Sequence, residues 1–222
     1  NPCFKKTIRA AVAVACAATL AIGASACGAS NSGNGSDKVA LLISTLNNPF
    51  FVDLRDGAQA EANKLGVNLL VSDAQNDSAT QQNQAQNAQS QGAKAVIINP
   101  VDSDAASPAV APLLSANLPV ISVDRSVTGE DVTAHISSDN VAGGAQAADE
   151  LAKAIGEKGD IIILQGTPGA ASTRDRGDGF KKEIKKYAGI KVVAEQTANF
   201  DRSEALDVTS NLMQANPNIV GV

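Results

Sequence analysis

Short segments of the sequence combine Asp, Arg, Asn and Phe side chains, and each segment follows an apolar run. The segments are STLNNPFF at residues 44–51, NPVDSD at 99–104, DR at 124–125, TRDRGDGF at 173–180 and NFDR at 199–202. An Arg fork and a carboxylate can each reach two neighbouring hydroxyl groups through charge-assisted hydrogen bonds. Flat aromatic rings can cover the apolar C–H faces of the same molecule. This set of side chains is typical of a site for a neutral polyol.

The aromatic residues support this interpretation because they are scarce. The chain has 5 Phe, 1 Tyr and no Trp, and Phe50, Phe51 and Phe200 all fall in these segments. Aromatic residues that are so few would ordinarily be kept for the core, so their position in polar loops favours a binding role. Of the pair that follows Pro49, Phe51 fits a core anchor better than Phe50 does.

The charged positions also have purely structural explanations, and the sequence leaves both kinds open. Asp124 and Arg125 can form a surface ion pair, which contributes little to stability. Arg174 and Arg176 can cap strand ends or pair with the acidic residues beside them.

Catalytic and metal chemistry have little support in the sequence. The only histidine, His135, lies in an apolar, strand-like stretch where a structural role fits. No nucleophile–base pair, metal-ligand spacing or phosphate-binding motif is present. The glycines at 143–144 fit the start of a helix that packs closely on a neighbour. We therefore expect no enzymatic activity, no cofactor and no metal.

From residue 37 onward, apolar runs alternate with segments of helical period. The runs occupy residues 39–43, 67–71, 95–98, 120–123, 161–164, 190–194 and 219–222. Uninterrupted apolar runs are typical of strands buried on both faces, as in parallel sheets covered by helices. Repeated strand–helix units predict a doubly wound α/β fold, in which ligands bind beyond the carboxyl ends of the strands.

Two of the intervening segments illustrate the helical prediction. Residues 51–65 carry apolar side chains at spacings of three and four, and Gly66 ends that helix. Residues 77–92 are crowded with Gln and Asn, so only Ala85 and Ala88 are clear candidates for the inward face. We expect a thinly packed surface helix there.

The N-terminal residues have the pattern of an export signal. Residues 1–26 hold three basic residues followed by an uncharged, alanine-rich run that is short for a membrane-spanning helix. The small residues before Cys27 resemble a bacterial lipobox, which would make Cys27 the lipid-bearing mature N-terminus. Residues 27–37 are then a flexible tether. The alternative is ordinary cleavage that leaves Cys27 as a free thiol.

The charge balance argues against nucleic acid as a partner. The net charge is -5, and it falls to -8 without residues 1–26, because they hold three basic residues and no acidic one. An acidic chain without a basic stripe lacks the electrostatic footprint of a nucleic-acid-binding protein.

Several long motifs, in the same order and at nearly the same spacing, resemble the bacterial ribose-binding proteins of the periplasmic-binding-protein type. The motifs are STLNNPFF at residues 44–51, VDR at 123–125, SSDN at 137–140 with GG at 143–144, and RDRGDGF at 174–180. The resemblance runs from about residue 38 to residue 222. It implies a two-lobed α/β protein that closes on a small sugar and delivers it to an ABC-type membrane importer.

The resemblance also implies which residues contact the sugar, with three phenyl rings packing on its ring. They are Ser44, Asn48, Phe50, Phe51, Asp124, Arg125, Arg176 and Phe200. The first lobe is expected over residues 38–139 and the second over 140–222. The family continues beyond the length seen here, so the second lobe and the hinge returns are expected to be incomplete. We expect a monomer, exported and anchored on the outer face of the cell membrane, or else periplasmic.

Two other functions fit the same fold. The effector-binding half of a sugar-responsive transcription repressor would need an N-terminal helix-turn-helix, where this chain has an export signal and tether. An α/β enzyme that acts on a sugar would need a catalytic set that is not visible. Ribose is the favoured ligand, although allose, other pentoses or a cyclic signalling molecule could use much the same loops.

Overall fold

The computed structural model describes residues 37–222, which form two parallel β-sheets with flanking helices. The predicted export signal, Cys27 and all but the last residue of the predicted tether lie outside the described residues. Across residues 37–222, no helix combines the length and the apolar character needed to cross a membrane.

The described residues contain eight strands and six helices. The strands are β1 (Lys38–Ile43), β2 (Asn68–Asp73), β3 (Ala95–Ile98), β4 (Val120–Val123), β5 (Ala134–Ile136), β6 (Lys158–Gln165), β7 (Gly189–Thr197) and β8 (Ile219–Gly221). The helices are α1 (Pro49–Leu65), α2 (Ser78–Ser90), α3 (Ser107–Ser115), α4 (Asn140–Ala154), α5 (Ala171–Ile184) and α6 (Arg202–Ala215).

The first sheet has the order β2-β1-β3-β4-β5, and every neighbouring pair is parallel. Leu41 and Ile43 pack with α1, whereas Ala40 and Leu42 pack with α2 and α3. Alternate residues of β1 are buried on opposite faces, which is why the strand is apolar from Val39 to Ile43. The strand order reverses direction between β1 and β3, which is where open α/β sheets bind ligands. The predicted doubly wound fold is confirmed.

The second sheet has the order β7-β6-β8 and is also parallel. Helices α4 and α5 enclose a core that includes Ala148, Ile161 and Ile184. These helices approach closely, since a Cβ atom at Gly144 would lie 2.0 Å from the carbonyl oxygen of Arg176. The close packing expected from the glycine pair is confirmed at Gly144, whereas nothing lies within 4 Å of a Cβ position at Gly143.

Helix α1 shows how local chemistry sets an element boundary. It begins at Pro49, because Asn48 caps it: Oδ1 of Asn48 accepts from the N–H of Phe50 at 3.0 Å. The helix ends at Gly66, whose φ of 70° is a left-handed conformation that glycine adopts readily.

Helix α2 matches the expectation and adds one buried polar residue. Ala85 and Ala88 are buried as predicted, but Gln81 is also only 2% exposed. Its amide donates to the carbonyl oxygen of Asn99 at 2.9 Å and accepts from the N–H of Val101 at 2.9 Å. Helix α2 is therefore a surface helix with a thin apolar face, as predicted, and the buried amide of Gln81 also joins it to the loop after β3.

Candidate functional site

The loops after β1, β4 and β7 and the start of α5 meet around a cavity of about 190 Å³ between the two sheets. It is lined by Asn48, Phe50, Phe51, Asp124, Arg125, Ser172, Arg176 and Phe200. Seven of the eight residues predicted to contact a sugar belong to this lining. These residues lie on loops and helices that adjoin both sheets, so only the tertiary fold brings them together.

Arg125 is the central charged group of this cavity and is only 1% exposed. Its Nη1 donates to the carbonyl oxygens of Pro100 and Val101 at 3.1 and 3.0 Å. Its guanidinium carbon lies 5.3 Å from the ring centroid of Phe51 and 5.4 Å from that of Phe200. Both distances are within the range of cation–π attraction. Two carbonyls and two rings therefore fix the orientation of the guanidinium.

One donor of this guanidinium is unused. The Nε atom of Arg125 is buried and has no hydrogen-bond partner among residues 37–222. A buried polar group without a partner is costly, and such groups call for a specific explanation.

Arg125 stays positively charged although its surroundings lower its pKa. Burial lowers the pKa of Arg125, and the charge of Arg176 lowers it further, whereas Asp124 opposes both effects. Arginine nevertheless stays protonated in proteins. The Nε of Arg125 lies 3.8 Å from Oδ2 of Asp124, whose side chain is 17% exposed. The alternative of a surface ion pair is therefore wrong, because the arginine is enclosed.

Asp124 adopts an uncommon backbone conformation, with φ at 63°. Aspartate tolerates this left-handed region better than most residues, and strain of this kind often occurs at functional sites. Its carboxylate accepts from Nδ2 of Asn99 at 3.4 Å, and its N–H donates to the carbonyl of Ile136 at 2.8 Å. The acidic side chain is thus held at the carboxyl end of β4.

Asn99 is a supporting residue in one of the loops that the sequence pointed to, but it was not among the predicted sugar contacts. It is fully buried, and its Oδ1 accepts from the hydroxyl of Ser44 at 2.6 Å. Ser44 is itself fully buried and is not part of the cavity lining. In this arrangement Ser44 orients Asn99, which in turn reaches Asp124. A direct sugar contact by Ser44 stays a prediction. Asn99 directly follows β3, and that position was the available signal.

The two adjacent phenylalanines have different environments. Phe51 is 3% exposed and packs with β1, as predicted for a core anchor, whereas Phe50 is 56% exposed. Their rings meet edge to face with centroids 5.3 Å apart. Asn48 connects this segment to the second sheet, since its Nδ2 donates to the carbonyl of Phe200 at 3.4 Å.

The cavity lining on the side of the second sheet consists of Ser172 and Arg176 on α5 and Phe200 in the loop after β7. Nε of Arg176 donates to Oδ1 of Asn140 at 2.8 Å, which orients the guanidinium. Ser172 is 2% exposed and was not predicted, because a serine in the first turn of a helix carries no distinctive signal. A neighbouring cavity of about 460 Å³ shares Arg176 and Phe200. The smaller cavity is the better candidate, because Arg125, Asp124 and the aromatic rings converge on it.

Arg174 has a different partner from the acidic neighbours considered above. It forms an ion pair at 3.2 Å with Asp104, which lies in the loop after β3, and it does not line the cavity. Within residues 37–222, no group of three or more His, Cys, Asp or Glu side chains is placed to hold a metal ion.

Comparison with known proteins identifies the fold family. Residues 39–222 match the periplasmic binding protein domain family. The chain belongs to this family. The ribose import binding protein of Salmonella typhimurium is 45% identical over 219 residues, which are 99% of this chain and 71% of that protein. The ribose import binding protein of Bacillus subtilis is 42% identical over 87% of this chain and 63% of its own length.

Solved structures of this family have the same fold. The Caulobacter myo-inositol binding protein, bound to myo-inositol, superposes with a TM-score of 0.78 at 38% identity. The match covers 82% of this chain and 62% of that one. The chain therefore spans about two thirds of the length of these members of the periplasmic binding protein family.

Proposed function

We propose that this chain is the extracytoplasmic binding component of an ABC-type sugar importer, and that it binds ribose or a related small sugar in the cavity between its sheets. The observation that carries the proposal is the buried Arg125 guanidinium. It is stacked on Phe51 and Phe200, lies beside Asp124 and has an unused donor. The ribose import function of the Salmonella relative favours ribose among the sugars.

The lining provides both kinds of contact that a sugar needs. Arg125 and Arg176 donate to ring or hydroxyl oxygens, and Asp124 accepts from hydroxyl groups. Phe50 and Phe200 offer flat apolar surface for the C–H faces of the sugar ring. None of these groups forms a nucleophile–base pair, which supports binding without chemical change.

Calorimetric titration of the purified chain tests this proposal. Ribose, D-allose and myo-inositol are titrated separately into the chain and into Arg125→Ala and Arg176→Ala variants. The matched control is Arg55→Ala, whose side chain forms an ion pair with Asp56 on the surface of α1. A charged hydrogen bond contributes roughly 1.5–3 kcal/mol, so each site variant should bind roughly 10- to 100-fold more weakly. Equal losses in all three variants, or no heat with any sugar, would contradict the proposal.

The proposal includes export and membrane anchoring. The signal pattern of residues 1–26 and the Gly/Ser/Asn content of residues 27–37 support a lipid-bearing Cys27. The intact mass of membrane-extracted protein should show a diacylglyceryl group on a chain that begins at Cys27. A soluble form with a free thiol would contradict the anchor and leave the sugar site unaffected.

The proposal also assigns the two lobes of the receptor. We place the first lobe at residues 38–139, which contain the first sheet, and the second at residues 140–222, which contain the second sheet. Limited proteolysis should cut preferentially near residues 137–140, between β5 and α4.

We further propose that the chain is monomeric. The molar mass measured by light scattering would test this proposal.

A further inference from the structure

The loop after β3 contacts the start of α5 at a point that does not line the cavity. Ser103 lies in this contact and is fully buried. Its N–H donates to the carbonyl of Gly169 at 2.9 Å, and its hydroxyl accepts from the N–H of Ala171 at 3.0 Å. Its own carbonyl accepts from the N–H of Thr128 at 2.9 Å. Ser103 belongs to the first sheet region, by which we mean residues 38–139. It therefore bonds both to its own region, at Thr128, and to the segment before α5.

The hydroxyl of Ser103 takes the place of an N-cap for α5. The first N–H groups of a helix have no partners inside the helix and need capping. The residue at the cap position is Ala170, and within the described chain it provides no side-chain hydrogen bond to the helix. Ser103 thus caps α5 from the opposite sheet, which ties the start of the helix to the first sheet.

An ion pair lies beside this cap. Nη1 and Nη2 of Arg174 each lie 3.2 Å from a different carboxylate oxygen of Asp104, in a fork-like arrangement. The hydroxyl of Thr128 also donates to Asp104 at 2.8 Å, and this bond is the main reason why the pKa of Asp104 is lowered. Exposed ion pairs contribute little free energy, but a fork adds directional fit to the buried contact of Ser103.

Close steric fit completes the contact at Gly169. A Cβ atom built there would lie 1.8 Å from Oδ2 of Asp102, and the nearest heavy atoms all belong to that residue. The carboxylate has little freedom to move, because its Oδ1 accepts from the N–H groups of Asp104 and Ala105 at 2.8 and 2.9 Å. A side chain at position 169 would therefore collide with Asp102, which lies in the loop after β3.

Helix α5 transmits this contact to the cavity. Ser172 is one residue beyond the capped N–H, and Arg176 follows one turn later. Where α5 begins relative to the first sheet therefore decides where these two side chains lie relative to Asp124 and Arg125. We propose that Ser103, Asp104, Gly169 and Arg174 form a clasp that holds the two sheets together and positions Ser172 and Arg176 for sugar binding. The second part of this inference rests on the proposed function, whereas the clasp itself can be measured without sugar.

The test measures the distance between the sheets. Spin labels are attached to cysteines at Ala60 on α1 and Lys182 on α5, both exposed, after Cys3, Cys16 and Cys27 are changed to serine. Gly169→Ala, Ser103→Ala and Arg174→Ala should each lengthen or broaden the distance distribution, Gly169→Ala most of all. Lys181→Ala is the matched control, because it breaks the 3.0 Å ion pair with Glu195 inside the second sheet region. The control should leave the distribution unchanged.

Sugar binding provides the second readout. The apparent affinity falls with the fraction of molecules in the binding-competent arrangement, so Gly169→Ala should weaken ribose binding about tenfold or more. Arg174→Lys should recover part of the loss in Arg174→Ala. Arg174 is exposed, so its variants test the clasp even if Gly169→Ala fails to fold.

The outcomes separate the two proposals. Altered label distances in a chain that binds no sugar would support the clasp and reject the proposed function. Unaltered distances in the Ser103 and Arg174 variants would reject the clasp, whatever the affinity for ribose. Altered distances with unchanged ribose affinity would reject the positioning of Ser172 and Arg176.

Discussion

The guanidinium carbon of Arg125 lies 5.4 Å from the ring centroid of Phe200, although the two residues lie in loops that follow strands of different sheets. Arg125 lies two residues after the end of β4, and Phe200 lies in the loop between β7 and α6. Their contact joins the two sides of the candidate site. It also explains why an arginine with an unused donor can remain buried, because the ring faces partly compensate its charge.

Arg125→Lys should weaken ribose binding by roughly 10- to 100-fold. Lysine keeps the charge, but it lacks the planar fork that donates to Pro100 and Val101 and stacks on two rings. Calorimetry measures the change, with Arg55→Lys on the surface of α1 as the control. An Arg125→Lys chain with the original affinity would show that charge alone suffices.

Gly166→Ala should displace the Phe200 ring and weaken binding without unfolding the protein. A Cβ atom at Gly166 would lie 2.0 Å from Cζ of that ring, so the ring must move. Gly57→Ala on α1 is the matched control, since nothing lies within 4 Å of its Cβ position. The control should leave binding unchanged and raise the free energy of unfolding by about 0.5–1 kcal/mol, because alanine favours a helix over glycine. Equal affinities for the two variants would contradict a role for the Phe200 ring.

Gln81→Leu should lower the free energy of unfolding by roughly 2–4 kcal/mol. The change leaves the carbonyl of Asn99 and the N–H of Val101 without their partners, and each such buried group costs about 1–3 kcal/mol. Urea unfolding followed by circular dichroism measures it. Gln86→Leu, at an exposed position of the same helix, should change stability by less than about 0.5 kcal/mol. Similar losses in both variants would mean that helix propensity, and not the buried amide, sets the effect.

The single tyrosine should ionise unusually late. The hydroxyl of Tyr187 donates to Oδ1 of Asp149 at 2.8 Å, and this hydrogen bond is the main cause that raises its pKa from 10.0 to about 12. Because the folded pKa is the higher one, the stabilising contribution is fully present below about pH 10. It is lost as the pH rises through about 12.

Phenolate absorbance measures this pKa cleanly, since the chain has 1 Tyr and no Trp. The Asp149→Asn variant is the control, and its midpoint should move back towards 10. Circular dichroism recorded in parallel shows whether the protein is still folded. A midpoint near 10 in the folded wild-type chain would argue against the Tyr187–Asp149 hydrogen bond.

The sequence alone predicted the parallel α/β fold, because burial on both faces of a strand requires an uninterrupted apolar run. The runs at residues 95–98 and 120–123 coincide with β3 and β4. The sequence also predicted most of the candidate site. Polar residues directly after such strands must lie at one edge of a parallel sheet, whatever the details of packing.

Only the tertiary structure decided how these residues are held. Ser103 caps α5 across 68 positions of sequence, and Gln81 reaches the loop after β3 across 18 to 20. Neither residue type predicts such a role, because serine and glutamine are common in surface loops and helices. Their partners are backbone groups, which every residue has and which leave no trace in the sequence. The strands were predictable because their pattern is local, whereas these contacts depend on where distant segments meet.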